Sequence, residues 1–294
     1  MQILLITHDP RLRQYRTREL VRRLRDRHVD PVVLAPRQAL VSIQSGRVVL
    51  LGPRGPALRP DLVLNALYLR SQRDLDAVRA MEGAGYQVIN RADAWYAAKV
   101  KPLTAARLTA AGLPHPTTLF SRGVPPVLRE QAAAMVGWVV VKPWNGALGH
   151  GIRRFRNRSV LLAWLRRLAQ RGRPALVQGY VPNPGRDIRV LVIGGEVVGA
   201  TYRVATGQSW RTNVAAGATP VRCEPTYPMR DLAVEATWAL GLDIAGVDLM
   251  EGPDGLTVLE LNAWPDYERF DKVAGVDVAD HLARYLVRRA TKSL

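Results

Sequence analysis

Apolar and polar positions alternate between two periods along this 294-residue chain. Residues 3–6 form an unbroken apolar run, the pattern of a strand buried on both faces. Leu12, Tyr15, Leu20 and Leu24 then recur at helical spacing and predict a helix over about residues 12–27. Short apolar runs at 32–34, 62–64 and 87–89, with a helix expected near 72–82, extend the strand–helix alternation over the first 90 residues. That order predicts a small parallel sheet. No Gly-x-Gly-x-x-Gly turn follows the first strand, so a dinucleotide site has no support there.

Further on, residues 93–112 read as one helix ending at Gly112 and stopped by Pro114 and Pro116. Pro125-Pro126 reads as a loop. Strands are expected at 138–141 and 152–155, a helix at 159–170, and a linker at 171–174. Strands at 175–180, 188–193 and 197–204 precede a helix at 229–240. Residues 244–251 and 256–261 predict a hairpin across Gly252-Pro253-Asp254-Gly255, and a last helix covers 278–289. The chain is thus expected to be mixed α/β (α+β), with units at 1–92, 93–174 and 175–294.

Composition narrows the chemistry. A single cysteine, Cys223, excludes an internal disulfide and any Cys-rich zinc site, so a metal would need oxygen or histidine ligands. No apolar run approaches 18 residues, so no transmembrane helix is expected. The N-terminus lacks a positive segment and a cleavage site, which makes the cytoplasm the expected compartment. Lys and Arg total 42 against 25 acids, a net charge of +17. Residues 11–28 carry eight Arg and two acids, and residues 152–173 carry eight Arg and no acid. These stretches read as solvated faces of surface helices, with a polyanion or an acidic protein as the competing explanation. Without aromatic interleaving or a nucleic-acid motif, the sequence argues against nucleic acid. Residues 243–280 reverse the sign, with ten acids and two basic residues.

Four local patterns carry chemistry. Strand 139–141 delivers Lys142 into a loop with Gly146, Gly149 and Gly151, an arrangement that suits an anion, although an ordinary glycine-rich turn has the same pattern. Asp248 falls opposite Glu260 across the hairpin, and Asn262 shares a face with Glu260. Such an oxygen set suits Mg²⁺, and two carboxylates in an apolar sheet resist burial without a cation; a solvent-facing hairpin is the alternative. Asp187, Arg189, Arg203, Arg211 and Asn213 lie between these patterns, and arginines pair bidentately with phosphate or carboxylate. Finally, three of the five lysines are Lys99, Lys101 and Lys142, which points to a need for a compact ammonium.

Taken in order, the chain resembles the ATP-grasp superfamily, and within it the RimK-type carboxylate–amine ligases. The resemblance rests on Lys101 with Gly112 eleven positions on, the Val-Val-Lys-Pro run with its glycine loop, and Val177-Gln178-Gly179-Tyr180-Val181. It continues through Asp187-x-Arg189, Gly194-Gly195-Glu196, Arg203, Arg211-Thr212-Asn213, Ala245-Gly246-Val247-Asp248 and Glu260-Leu261-Asn262. It implies an ATP-grasp fold behind a Rossmann-like domain. It also implies that Lys101 and Lys142 hold ATP phosphates, that the loop at Gly146, Gly149 and Gly151 closes over them, and that the backbone of Gln178, Gly179, Tyr180 and Val181 reads adenine. Asp187 is implied near the ribose or the bound nucleotide. Asp248, Glu260 and Asn262 are implied to bind one or two Mg²⁺ or Mn²⁺, and Arg203, Arg211 and Asn213 to face the γ-phosphate. Gly179 departs from the family, which usually has an acid there.

The implied reaction forms an acyl phosphate and then an amide. It would add an amino acid, glutamate or similar, to a carboxylate-bearing small molecule, peptide or acidic carrier protein. The alternative is a noncatalytic Mg-ATP-binding module on the same fold. A homo-oligomer, dimer or tetramer, is left open, and no membrane partner is implied. His150 reads as a phosphate contact or an exposed loop residue. Residues 263–270 read as a substrate loop, in which Trp264 either stacks on a substrate ring or packs the core.

Overall fold

The structure is a computed structural model that describes residues 1–44, 47–53, 55, 57–68, 72–144, 151–207, 210, 212 and 217–292. Gln2–Thr7 pairs in parallel with Asp30–Leu34 on one side and Leu62–Ala66 on the other, and Val88–Ile89 extends that sheet. Ile3, Leu4, Leu5 and Ile6 are all fully buried because both faces are covered. Leu4 and Ile6 enter a core shared with the C-terminal part of the chain. Ile3 and Leu5 pack toward helices Tyr15–Arg25 and Val278–Thr291. A separate antiparallel hairpin, Leu40–Gln44 with Arg47–Leu51 and then Ala57–Leu58, lies between the second and third parallel strands in sequence.

Two antiparallel sheets follow. The first orders Arg153–Phe155, Val139–Lys142, Ala175–Gly179 and Thr118–Ser121. Its own core holds Val139, Val141, Val177, Leu161 and Leu165, under helices Pro126–Ala134 and Arg158–Gln170. The second orders Thr219–Cys223, Glu196–Val204, Arg186–Ile193, Ile244–Gly252 and Gly255–Asn262. Ile188, Val190, Val192, Val247, Leu249 and Leu261 turn from this sheet into the shared core, against helix Tyr227–Ala239. These sheets and the helices packed on them form the mixed α+β architecture expected above.

Four expectations need correction. The helix expected over 93–112 is two helices, Ala92–Lys99 and Lys101–Ala110, with Val100 at φ −97°, ψ 99° between them. Pro102 has no N–H to donate, and its ring would meet the carbonyl four residues back, so the first helix cannot run through it. The Thr104 hydroxyl donates to the freed Ala97 carbonyl at 2.8 Å. Pro125-Pro126 is a helix start: Pro125 is extended and Pro126 takes the first helical position, where a missing N–H costs nothing. Residues 171–174 turn tightly into Ala175–Gly179, which pairs with both Val139–Lys142 and Thr118–Ser121, so that sheet continues past 174. The basic face of Tyr15–Arg25 is partly spent inside the molecule, because Arg23 pairs with Asp277 and Arg27 with Asp280.

One side chain stitches the parallel sheet to the five-stranded one. Asn90 is 1% exposed. Its Nδ2 donates to the carbonyls of Ile244 (2.7 Å) and Ala263 (2.8 Å), and its Oδ1 accepts from the N–H groups of Asp243 (2.7 Å) and Ile244 (3.0 Å). Truncation would strand these buried backbone groups, each worth about 1–3 kcal/mol when left unsatisfied. Asn90→Ala should lower unfolding stability by about 3 kcal/mol, measured as the shift in denaturant midpoint at constant slope. An unchanged midpoint would contradict this role.

Candidate active site

The period of two along the strands of the five-stranded sheet sets its polar face. Asp187 and Arg189 are two apart on one strand, and Glu260 and Asn262 are two apart on another. Register puts Arg203 across from Asp187, Asp248 across from Arg189, and Glu260 across from Asp248. Opposite charges therefore face each other at Arg203–Asp187 and Arg189–Asp248, which favours those pairs, whereas Asp248 and Glu260 stand side by side as like charges. Arg203 donates to both oxygens of Asp187, at 2.6 and 2.7 Å, and lies 2.9 Å from Asp248 Oδ2. Arg189 donates to both oxygens of Asp248, at 2.5 and 3.0 Å. Thr212 also donates to Asp187, at 2.5 Å. A Cβ on Gly246 would sit 2.8 Å from Arg189 Nη1, so a glycine there leaves room for the guanidinium beside Asp248.

Lys101 and Lys142 approach from the facing elements. Lys101 opens its helix and holds Nζ 3.5 Å from Glu260 Oε2. Lys142 ends its strand and donates to Gln178 Oε1 at 2.5 Å, while Gln178 Nε2 donates to Thr118 Oγ1 at 2.9 Å. Asp248, Asp187, Arg203 and Gln178 are buried, and all face a cleft of about 1110 Å³. That volume is at the upper end for ligand sites, which run about 300–1,000 Å³. A smaller hollow of about 600 Å³ beside Gly194, Trp238 and Arg288 lies apart from these residues.

Burial and neighbouring charge set the ionisation states. Burial pushes the Glu260 carboxyl up, but Lys101, Lys142, Arg189 and Arg203 together outweigh it and hold it down at about 2. Burial also drives the Lys142 ammonium down to about 8; Glu260 and Asp248 oppose this and Lys101 adds to it. Lys99, on the same wall, is lowered by burial and by Lys101. Burial opposes the charge on Arg203, yet Asp248 and Asp187 override it and raise its pKa. His115 falls to about 4, chiefly through burial and then Lys142, and stays neutral. Among the described residues, eight cations (Arg16, Lys99, Lys101, Lys142, Arg189, Arg203, Arg269, Lys272) thus meet five carboxylates (Asp187, Asp248, Glu260, Asp266, Glu268) around the cleft. The surplus is positive and favours an anionic ligand.

Most sequence-derived candidates converge here, with amendments. Asp248, Glu260 and Asn262 share the sheet face as expected. Their mutual repulsion does not by itself demand a metal, because Arg189, Arg203 and Lys101 already neutralise the carboxylates. Both oxygens of Asp187 engage Arg203, so this carboxylate positions the guanidinium. Gln178, Gly179, Tyr180 and Val181 all line the cleft. The Gly179 N–H donates to Thr117 O (2.9 Å) and the Tyr180 N–H to Trp138 O (3.0 Å). Gly151, at φ +74°, turns against Pro143. Gly146, Gly149, His150, Arg211 and Asn213 lie outside the described residues.

Trp264 packs the core and also borders the cleft, with Ala263, Pro265, Asp266, Glu268, Arg269 and Phe270. Sequence reasoning missed Arg16 and Tyr68, which line the same cleft. Arg16 had a usable signal: it lies four and eight residues before Leu20 and Leu24, on the buried stripe of its helix.

Known proteins show the same organisation. The family described as "RimK-like ATP-grasp domain" matches residues 100–286. The tetrahydromethanopterin:alpha-L-glutamate ligase of Methanococcus maripaludis is 30% identical over 282 residues, spanning 92% of this chain and 93% of that protein. Beta-citrylglutamate synthase B of Homo sapiens is 30% identical over 262 residues, spanning 87% of this chain and 67% of that protein. The solved structure of the ATP-grasp ligase PsnB complexed with minimal precursor superposes with a TM-score of 0.76 at 25% identity, covering 98% of both chains. A second PsnB structure, with minimal precursor, Mg and ADP, gives 0.75 at 24% identity, covering 99% of this chain and 98% of that one. The family match alone takes in more than half of the chain, which belongs to the RimK-like ATP-grasp ligases.

Proposed function

We propose that the protein uses ATP to activate a substrate carboxylate and joins it to the amine of an amino acid, glutamate or similar. The observation that carries this reading is the cleft wall on which Asp248, Glu260 and Asn262 share a sheet face with Arg189 and Arg203, opposite Lys101 and Lys142. The names of the relatives support glutamate as the amino acid. The acceptor class is a carboxylate-bearing small molecule, peptide or acidic carrier protein.

In this reading Lys101 and Lys142 bind the nucleotide phosphates, with Lys142 held by Gln178. Adenine lies against Gly179–Val181, where the Val181 N–H has no partner among the described residues. The acid that the family resemblance implies at position 179 is not excluded by space, since a Cβ there would meet Met135 Cε only at 3.7 Å. The residues fit a divalent cation: Glu260 is ionised, and Asp248 and Asn262 share its sheet face and carry oxygen donors. Asp248, Glu260 and Asn262 would hold one or two Mg²⁺ or Mn²⁺, which when bound would neutralise phosphate charge.

A carboxylate oxygen of the acceptor attacks the γ-phosphorus, and ADP leaves as its bond to that phosphorus breaks. The amine then attacks the acyl carbon, phosphate departs with the former carboxylate oxygen, and the amine proton passes to solvent. No side-chain nucleophile is needed. Arg203, fixed by Asp187, and Arg189, fixed by Asp248, supply preoriented donors toward the developing charge. Arg211 and Asn213 are assigned to the same phosphoryl group on the family pattern.

Incubation with ATP, Mg²⁺, an amino-acid panel and a mixture of cellular carboxylates should yield ADP and an amide detectable by mass spectrometry. ADP release that no amine–carboxylate pair stimulates would favour the binding module. Lys142→Ala and Glu260→Gln should each lower turnover by at least about 100-fold while circular dichroism stays native; near-normal ADP production by either would remove that residue from the site. The Lys142 pKa adds a pH test. Its ammonium is lost as pH rises through about 8, so affinity for Mg-ADP should be flat from pH 6 to 7 and fall about tenfold per unit well above pH 8. Lys142→Arg should flatten that profile, and a flat wild-type profile to pH 9.5 would contradict the assignment.

A further inference from the structure

The cleft is lined by a further basic residue besides the lysines and arginines assigned to the phosphates. Arg16, at the start of helix Tyr15–Arg25, is only 6% exposed. Its guanidinium lies 4.0 Å from the centroid of the Tyr68 ring and 5.8 Å from that of Trp264. Nη1 donates to the Trp264 carbonyl at 3.0 Å. Nε and Nη2 reach only Gln14 Oε1, each at the long distance of 3.4 Å. No described carboxylate lies within 4.0 Å of Arg16. The indole N–H of Trp264 is also buried without a partner. Arg16, Tyr68 and Trp264 all line the cleft, beside Leu67 and Phe270.

A guanidinium offers five N–H donors in a planar fork, and burying its charge without a counter-ion is costly. Burial pushes Arg16 down to about 10, against the opposing pull of Asp266, Tyr267 and Asp9. A ligand carboxylate matches the fork and restores the missing counter-charge in a site walled by aromatic and aliphatic groups. A phosphate has its own cationic site at the lysines.

We propose that Arg16, stacked on Tyr68 beside the unpartnered indole N–H of Trp264, binds a substrate carboxylate other than the one that is activated. The inference rests on the ligase reading above. Its ligand is the free carboxylate of the incoming amino acid or a second carboxylate on the acceptor, and Arg16 selects for substrates that carry it.

The test uses the full chain with Arg16→Gln and Arg16→Lys. Arg16→Gln should raise KM for one carboxylate-bearing substrate about 10- to 100-fold, with Mg-ADP affinity unchanged and partial recovery in Arg16→Lys. A rise confined to the amino acid assigns the site to the amine substrate; a rise confined to the acceptor assigns it to the acceptor. In the wild type, replacing the relevant free carboxylate by its carboxamide should cost a similar factor, and in Arg16→Gln that discrimination should disappear. If neither KM moves while Mg-ADP binds normally, the proposal is overturned. Should Arg16→Gln lose Mg-ADP binding with its fold, the wild-type comparison decides, and equal use of acid and carboxamide for both substrates overturns it. If no pair is ligated at all, the ligase reading fails on its own. Calorimetric binding of L-glutamate to the Mg-ADP-loaded protein, lost in Arg16→Gln, would then still support the site, and no binding to the wild type would overturn it.

Discussion

The buried charge array on the five-stranded sheet is the constraint around which the rest is arranged. Asp187, Arg203 and Asp248 are almost fully buried, and Arg189 is nearly so. Charges at such depth persist only if each finds partners of opposite sign with good geometry. The strand register supplies that geometry, because Arg203, Asp187, Arg189, Asp248 and Glu260 occupy neighbouring positions on adjacent strands. A slip of one residue in either hairpin would turn these groups into the apolar core. The apolar alternates Ile188, Val190, Val247 and Leu249 on the other face hold the register in place. The array is therefore rigid before any ligand arrives, which is what electrostatic stabilisation of phosphoryl transfer requires.

The surrounding architecture follows from where that face must look. The parallel sheet and the five-stranded sheet share one core and are joined through Asn90, so the charged face has a fixed backing. The sheet bearing Lys142 and Gln178 has a core of its own. Two independently packed bodies thus face each other across the cleft, one holding the carboxylates and arginines and the other a half-buried lysine. The lowered pKa of Lys142 follows mainly from burial, whereas the low pKa of Glu260 follows from nearby cations that outweigh the opposite effect of burial.

Much of this was legible before any coordinates. The hairpin across Gly252–Gly255 was legible and brings Asp248 close to Glu260, but the turn's own register would pair Asp248 with Leu259, and it is a bulge between Asp248 and Leu249 that sets Glu260 opposite. The unbroken run at 3–6 was legible because full burial removes the need for polar alternation. The break at Val100 was also written in the chain, at Pro102, but the helical periodicity on both sides concealed it. Asn90 was not legible, because its four partners are backbone groups of residues 243, 244 and 263 and have no side-chain signature. Arg16 was hidden among eight arginines in a stretch read as solvated. The charge segregation itself changes meaning: part of the acidic run at 243–280 pairs with the basic first helix, through Asp277 with Arg23 and Asp280 with Arg27.

The central claim, that an acceptor carboxylate is phosphorylated before the amide forms, has a direct isotopic test. The acceptor that supports ADP release would be supplied with ¹⁸O in its reacting carboxylate, and the released phosphate analysed by mass spectrometry. Transfer of one carboxylate oxygen demands a phosphate carrying a single ¹⁸O. Phosphate released without the label, at the rate of ADP formation, would show that water takes the phosphoryl group and would contradict the account.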